Sequence, residues 1–210
     1  MAATIQSMVV GEVMTNCYFL QNPDTKELIV IDPGACADKI KEKITAMEGK
    51  VVAILLTHGH FDHIMAADPI RSFYGCPVYA ESHEREVLED PGKNLTRMTG
   101  NGMTVSADHY LRDGQEITLA GFRIQVMHTP GHTCGGCCYY LPDEKILFSG
   151  DTLFAGSCGR TDFPTASMTD MIASLRRLLT ELPDETYVYP GHNLPTTIRD
   201  EKEFNPYAPR

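Results

Sequence analysis

The amino-acid sequence predicts an α+β chain built from two β-sheets with helices on their outer faces. Short apolar runs of strand length alternate with amphipathic stretches. Their order is strands, helix, strand, helix, strands, helix, strand, as expected of packed sheet and helix layers. One segment, residues 168–179, carries the clearest helical periodicity of the chain.

The runs IQSMVV, CYFLQN and LIVID read as strands of a meander that ends at the turn Pro33-Gly34. Residues 38–48 place Ile40, Ile44 and Met47 at helical spacing, with Gly49 as the stop signal. Val51 to Thr57 is a nearly continuous apolar run, the pattern of a strand buried on both faces. A helix is predicted from Ile64 to Phe73, then a short strand PVYA, then a helix capped by Ser82 and running to Asp90. Residues 91–114 are polar, rich in Gly and Asn and weakly patterned. A loop that long is uncommon unless it serves a site, so the segment is read as a lid or pocket wall, or else as a solvated insertion. Strands follow at 117–120, 122–127, CCYYL, KILFSG and TYVYPG. The helix at 168–179 presents Met168, Met171, Ile172, Leu175, Leu178 and Leu179, and Ser167 with Asp170 resembles a capping box.

The 210 residues suit one domain, read as spanning 1–210, with enough length to bury a substantial core. No basic start followed by an apolar run marks an export signal, and no run approaches the roughly 18 apolar residues of a membrane helix. The formal net charge of −10 argues against nucleic acid or an anionic membrane as partner. Seven cysteines, an odd number without an export signal, are expected to stay reduced in the cytoplasm. Cys134 and Cys137 form a CxxC with Cys138 beside them, read as small buried residues or as a redox pair or extra metal contact. Oligomeric state is not legible.

The chemistry is concentrated in Thr57-His58-Gly59-His60-Phe61-Asp62-His63, directly after the strand VVAILL. Gathering three imidazoles and a carboxylate costs desolvation unless something binds them, and a divalent metal offsets that cost. Such donors suit zinc, iron or manganese. His132, Asp151 and His192 share the setting: each lies just past a β-run and directly after a glycine. Glycine there permits a sharp turn and close backbone approach. Strand ends converging on one edge would collect all seven side chains.

THGHFDH resembles the HxHxDH signature of the metallo-β-lactamase superfamily, and His132, Asp151 and His192 match its remaining ligands in order and context. The resemblance covers the chain from its early strands through His192. It implies a four-layer αββα sandwich and two divalent ions, zinc first and iron or manganese as alternatives. His58, His60 and His132 would hold one ion, Asp62, His63 and His192 the other, and Asp151 would bridge them.

HTPGHT, FSGDTLFAGSCGRTDFP, Leu182-Pro183, VYPGH and the closing Asn205-Pro206 look like the glyoxalase II-like branch, which contains hydroxyacylglutathione hydrolases. Its longer members add a helical C-terminal domain with glutathione contacts, which is not expected here. The implied activity is hydrolysis of a small-molecule thioester by water activated between two metals. Asp62 and Asp151 would be the catalytic carboxylates. Arg160, in the loop after Asp151, is a candidate contact for a carboxylate-bearing thiol carrier, or an internal partner of Asp162 or Asp170. Tyr139 and Tyr140 either line the pocket or pack within a strand. His128 is expected in a supporting role, His83 and His109 at the surface, and Asp32 as support for the ligands or as a turn former.

The main rival is a persulfide dioxygenase with a single iron on His58, His132 and Asp151, because that family also carries the segment seen here as Cys158-Gly159-Arg160-Thr161-Asp162-Phe163. Hydrolysis of another ester, a lactone or a β-lactam is a further possibility.

Overall fold

The structure is a computed structural model that describes residues 3–100 and 102–208. The first sheet is formed by β1 (Thr4–Val10), β2 (Thr15–Gln21), β3 (Glu27–Ile31), β4 (Lys50–Leu55), β5 (Val78–Glu81) and β6 (His109–Leu111), in that spatial order. Its first three strands are an antiparallel meander and the last three run parallel to β3. The second sheet holds β7 (Glu116–Leu119), β8 (Phe122–His128), β9 (Cys137–Leu141), β10 (Ile146–Gly150), β13 (Tyr187–Pro190) and β14 (Thr196–Thr197), in the order β14-β13-β10-β9-β8-β7. A small hairpin, β11 (Leu153–Phe154) with β12 (Ser157–Cys158), stands apart.

Strand alternation produces the layers. In β2, Tyr18 and Leu20 face the space between the sheets, whereas Cys17 and Phe19 face the helices. The central layer adds Ile29, Ile31 and Leu55 from the first sheet to Phe122, Ile124, Tyr139 and Phe148 from the second. Outside the first sheet lie α1 (Ala37–Ala46), α2 (Phe61–Ile64), α3 (Ala67–Tyr74) and α4 (Arg85–Leu88), which contribute Ile40, Ile44, Ile64, Ile70 and Leu88. Outside the second lie α5 (Met168–Glu181) and α6 (Ile198–Phe204), with Met171, Leu175, Leu178 and Ile198. This is the expected αββα sandwich.

Several local expectations are corrected. The predicted 64–73 helix is two, α2 and α3, separated at Met65 and Ala66. The segment after β5 opens with a 3-10 turn, Ser82–Glu84, capped by the Glu81 carboxylate, which accepts the His83 N–H. Ser82 therefore does not cap it; its hydroxyl donates to the same carboxylate. At the end of α1 the left-handed residue is Glu48, with φ +53°, and not Gly49. Gly49 is needed for space instead, since a Cβ there would lie 2.7 Å from Leu28. Ser167 does cap α5 by accepting the Asp170 N–H, but its own N–H goes to Gly131 O, so the capping box is only half formed. Met168 is exposed rather than on the buried face. Residues 91–114 contain a 3-10 turn (Thr96–Thr99) and strand β6. Among the described residues no helix is long and apolar enough to cross a membrane.

Tyr139 corrects a site expectation. Its ring is fully buried between the sheets, and its hydroxyl donates to Leu56 O at 2.9 Å. It therefore lines no substrate pocket; β9 is a central strand, and a residue facing the interlayer cannot reach the sheet edge. Tyr140 faces the opposite way, into the cluster under α5. Replacing Tyr139 by Phe should lower unfolding stability by about 1 kcal/mol, the usual worth of one buried hydrogen bond. Chemical denaturation reads that loss, and a changed KM in the same variant would contradict the placement.

Candidate metal centre

Strands β8, β10 and β13 run in one direction, because β9 is antiparallel to both β8 and β10 while β13 is parallel to β10. Their C-terminal ends therefore share one edge, and the residues just past them, His132, Asp151 and His192, meet there. From the other sheet, the loop after β4 supplies His58 and His60, and α2 directly after it supplies Asp62 and His63. Bonds between the layers hold the two edges together: Cys137 N–H donates to Thr57 O, Asn16 N–H to Gly191 O, and the Tyr18 hydroxyl to Pro190 O at 2.6 Å. The expected role of glycine is plain at two positions. Gly150 has φ +49° and lies so close to Thr57 that a Cβ would sit 2.4 Å from its hydroxyl. A Cβ on Gly191 would sit 2.2 Å from Asp151 Oδ1.

All seven expected side chains converge. His58, His60 and His132 present ligating atoms within 4.8 Å of one another, and so do Asp62, His63 and His192. Asp151 stands between the groups: Oδ2 is 3.4 Å from His132 Nε2 and 3.5 Å from His192 Nε2, and Oδ1 is 3.5 Å from His63 Nε2.

The surrounding bonds aim the rings. The Asp32 carboxylate accepts the Thr57 N–H at 2.8 Å, the Thr57 hydroxyl at 2.6 Å and His63 Nδ1 at 3.0 Å. His58 Nδ1 rests on the Thr57 hydroxyl, and His132 Nδ1 donates to Arg160 O at 2.7 Å. Each contact engages the nitrogen facing away from the centre and leaves Nε2 turned inward. Asp62 accepts the Thr15 hydroxyl at 2.7 Å.

What remains inside the centre is unpaired. His58 Nε2, His60 Nε2, His63 Nε2 and Asp151 Oδ1 are buried and have no hydrogen-bond partner among the described residues. His60 Nδ1 faces His132 Nε2 at 2.8 Å. Buried polar atoms without partners are destabilising, and a cluster of inward lone pairs on imidazole and carboxylate is the donor set a divalent transition ion satisfies. The residues fit two metal ions.

Electrostatics separate the groups. Burial, reinforced by the neighbouring imidazoles, pushes His58 and His60 well below the usual histidine range, so both are neutral and ready to ligate. Burial also lowers His132. For Asp62, burial opposes ionisation but is outweighed by His63 and His192, which hold the carboxyl well below its usual range. For His63 burial again works against the charge, yet Asp62, Asp151 and Asp32 raise it to about 10.

A cleft of about 300 Å³ opens onto this centre, lined by His60, Asp62 and His192 together with Phe163, Leu95 and Arg160. Of the 91–114 segment, Leu95 forms part of the cleft wall, next to the point where Phe61 N–H donates to Asn94 O. The Arg160 guanidinium lies over the Phe163 ring and is paired with Asp162, the internal partner read for it, at the wall of the cleft. All seven cysteines are free; Cys137 and Cys138 are buried strand residues. Two supporting residues escaped the sequence reading. Thr15, at the start of β2, has no local signal marking it. Glu84 is fully buried and accepts Gly59 N–H, the Thr133 hydroxyl and Gly135 N–H at 2.6, 2.8 and 2.9 Å. It thereby joins the loop carrying His58 and His60 to the loop carrying His132. A Glu in a polar helical stretch looks like a solvated residue until the fold buries it.

Comparison with known proteins follows this geometry. A family model described as the metallo-beta-lactamase superfamily matches residues 10–192. A probable metallo-hydrolase of Bacillus subtilis, YqgX, is 36% identical over 203 residues, covering 95% of this chain and 95% of its own. The crystal structure of the BLEG-1 B3 metallo-beta-lactamase superposes with a TM-score of 0.91 at 40% identity, over 97% of this chain and 99% of that one. TTHA1623, solved in a di-iron-bound form, gives 0.84 at 35% identity, over 96% and 99%.

The raised His63 yields a test. Its folded pKa of about 10 exceeds the ordinary 6.5. Its contribution to the stability of metal-free protein is thus full below pH 6.5 and lost as pH rises through 10. Ligation needs the neutral ring, so metal binding at pH 8 should release this proton. Calorimetric zinc titrations of metal-free protein in two buffers of different ionisation heat should differ accordingly, and His63→Ala should shrink the difference by about one proton. Equal heats for the wild type in both buffers would refute the assignment.

Proposed function

The chain belongs to the metallo-beta-lactamase superfamily, and from that premise we propose that it is a hydrolase that uses two divalent metal ions to cleave thioesters of a glutathione-type thiol, in the short glyoxalase II-like branch. The observation that carries the two-ion reading is the pair of complete donor groups with Asp151 between them. The thioester reading is supported by the segments HTPGHT and FSGDTLFAGSCGRTDFP. In this reading residues 1–210 act as one catalytic domain with a cytoplasmic small-molecule substrate, consistent with free cysteines.

His58, His60 and His132 would hold one ion, Asp62, His63 and His192 the other, with Asp151 shared. Zinc is the expected metal, with iron or manganese compatible with the same donors. When bound, the ions supply a water acidified to near-neutral pKa and a Lewis acid for the acyl carbonyl. The protein's own groups do the rest. Asp62 stays ionised and, steadied by Thr15, accepts a hydrogen bond that orients the attacking water. Phe163, Leu95 and Val13 give the cleft apolar walls that shield the reacting carbonyl from bulk solvent. Arg160 is exposed, so its pairing with Asp162 is worth little and a substrate carboxylate can replace it bidentately. The leaving thiolate, with a pKa near 8.5, needs no strong general acid.

The test is the initial rate of S-D-lactoylglutathione hydrolysis by metal-loaded protein. Turnover is expected, reduced roughly 10²–10⁴-fold in Asp62→Ala. In Arg160→Ala, KM should rise with kcat nearly unchanged, the mark of lost ground-state binding. Absence of turnover by folded, two-metal protein would remove this substrate. The likeness to BLEG-1 favours a second reading, β-lactam hydrolysis, which a chromogenic cephalosporin assay on the same preparation addresses. Persulfide-dependent oxygen uptake by protein with one iron per chain would move the function to the dioxygenase.

A further inference from the structure

A second group of metal-binding side chains lies outside the catalytic centre. The end of β5, the 3-10 turn after it and the end of β8 bring Glu81, His83 and His128 together, with ligating atoms within 4.8 Å of one another. None of the three belongs to the HxHxDH pattern or to its downstream ligands.

The Glu81 carboxylate is 1% exposed, and its ion-pair partner among the described residues is His83, an imidazole charged only when protonated. The surroundings are acidic. Glu84 lies fully buried three residues on, Glu86 and Glu89 line the adjoining surface hollow with Cys134, and Asp113 accepts the His128 backbone N–H. Lys93 pairs with Glu86, Arg177 pairs with Asp113 and Arg85 lines the same hollow, so the outer carboxylates are balanced, while Glu81 has His83 as its ion-pair partner among the described residues.

The imidazoles are prepared as donors. His128 Nε2 lies 2.9 Å from the Cys134 carbonyl oxygen, which can only accept, so Nε2 carries the hydrogen and Nδ1 offers its lone pair. The rings of His83 and His128 stack at 4.9 Å and 15°. His83 is 66% exposed and can turn about its side-chain bonds, while Glu81 is pinned by the Ser82 hydroxyl and the His83 N–H. Two held donors and one mobile donor make a site that closes on its ion. Two imidazoles with one carboxylate are a zinc-type donor set and suit magnesium or calcium poorly.

We propose that Glu81, His83 and His128 form a further binding site for a divalent transition-metal ion, separate from the catalytic pair. Its position gives it a consequence. Glu84 directly follows His83 and holds both Gly59 and Gly135, so an ion fixing the turn also fixes the carboxylate that joins the two catalytic ligand loops.

The experiment counts metal in the loaded protein after equilibration with micromolar free zinc and removal of excess, by plasma mass spectrometry. Wild type should hold one zinc per chain more than His83→Ala and one more than Glu81→Gln. The same zinc should raise the Tm of wild type by more than that of either variant, because the variants keep only the catalytic centre. His83 is exposed, so its replacement leaves the core intact. The difference between proteins decides the matter, not the total, so a catalytic centre that held one ion instead of two would change the count and leave this result readable. Equal metal content in wild type and His83→Ala overturns the proposal, as does a third zinc displaced by equimolar magnesium.

Discussion

Burial of inward-facing lone pairs is the constraint on which the molecule is organised. Four nitrogen and oxygen atoms of the centre sit in the interior without a hydrogen-bond partner among the described residues. Proteins rarely tolerate that, because each such atom has lost water and gained no hydrogen bond in return. Here the neighbouring bonds enforce it. Asp32, Thr57 and Arg160 O engage the outward nitrogens, which fixes the rings with their free atoms converging. The donor set suits two metal ions, which would satisfy these atoms.

The sandwich supplies the geometry this needs. An imidazole can be aimed to within a fraction of an ångström only if its backbone is rigid. The ligands lie just past the C-terminal ends of β4, β8, β10 and β13, strands anchored by residues buried in the interlayer or under the helices, so the apolar core holds the polar centre. The layers are linked at that edge by the bonds of Asn16, Tyr18 and Cys137, and by Glu84 just behind it. A substitution there would change ligand placement without touching a ligand.

Charge divides labour within the centre. Burial keeps His58, His60 and His132 neutral, outweighing Asp151 beside His132; His63, facing three aspartates, is held well above the usual histidine range without metal. The two donor groups therefore differ in the proton exchanged on loading, although they share Asp151.

The HxHxDH run, the three Gly-preceded ligands and the two-sheet architecture were legible because each is a local pattern: donor spacing, a glycine, a period of two or 3.6. Asp32 was readable as a candidate support for the same reason, lying in the turn at the end of β3. For Tyr139 the sequence left pocket lining and strand packing open, since a strand sequence shows alternation but not which face meets the other sheet; the fold buries it between the sheets. Thr15 and Glu84 carried no signal at all, being 47 residues from Asp62 and 25 from Gly59 along the chain. The sequence by itself determined which side chains are candidate metal ligands, because ligand chemistry resides in residue type and spacing. Only the tertiary structure decided how those side chains are aimed, which of them carry protons, and that Glu81, His83 and His128 meet, because orientation, burial and proximity across distant strands exist only once the sheets have packed.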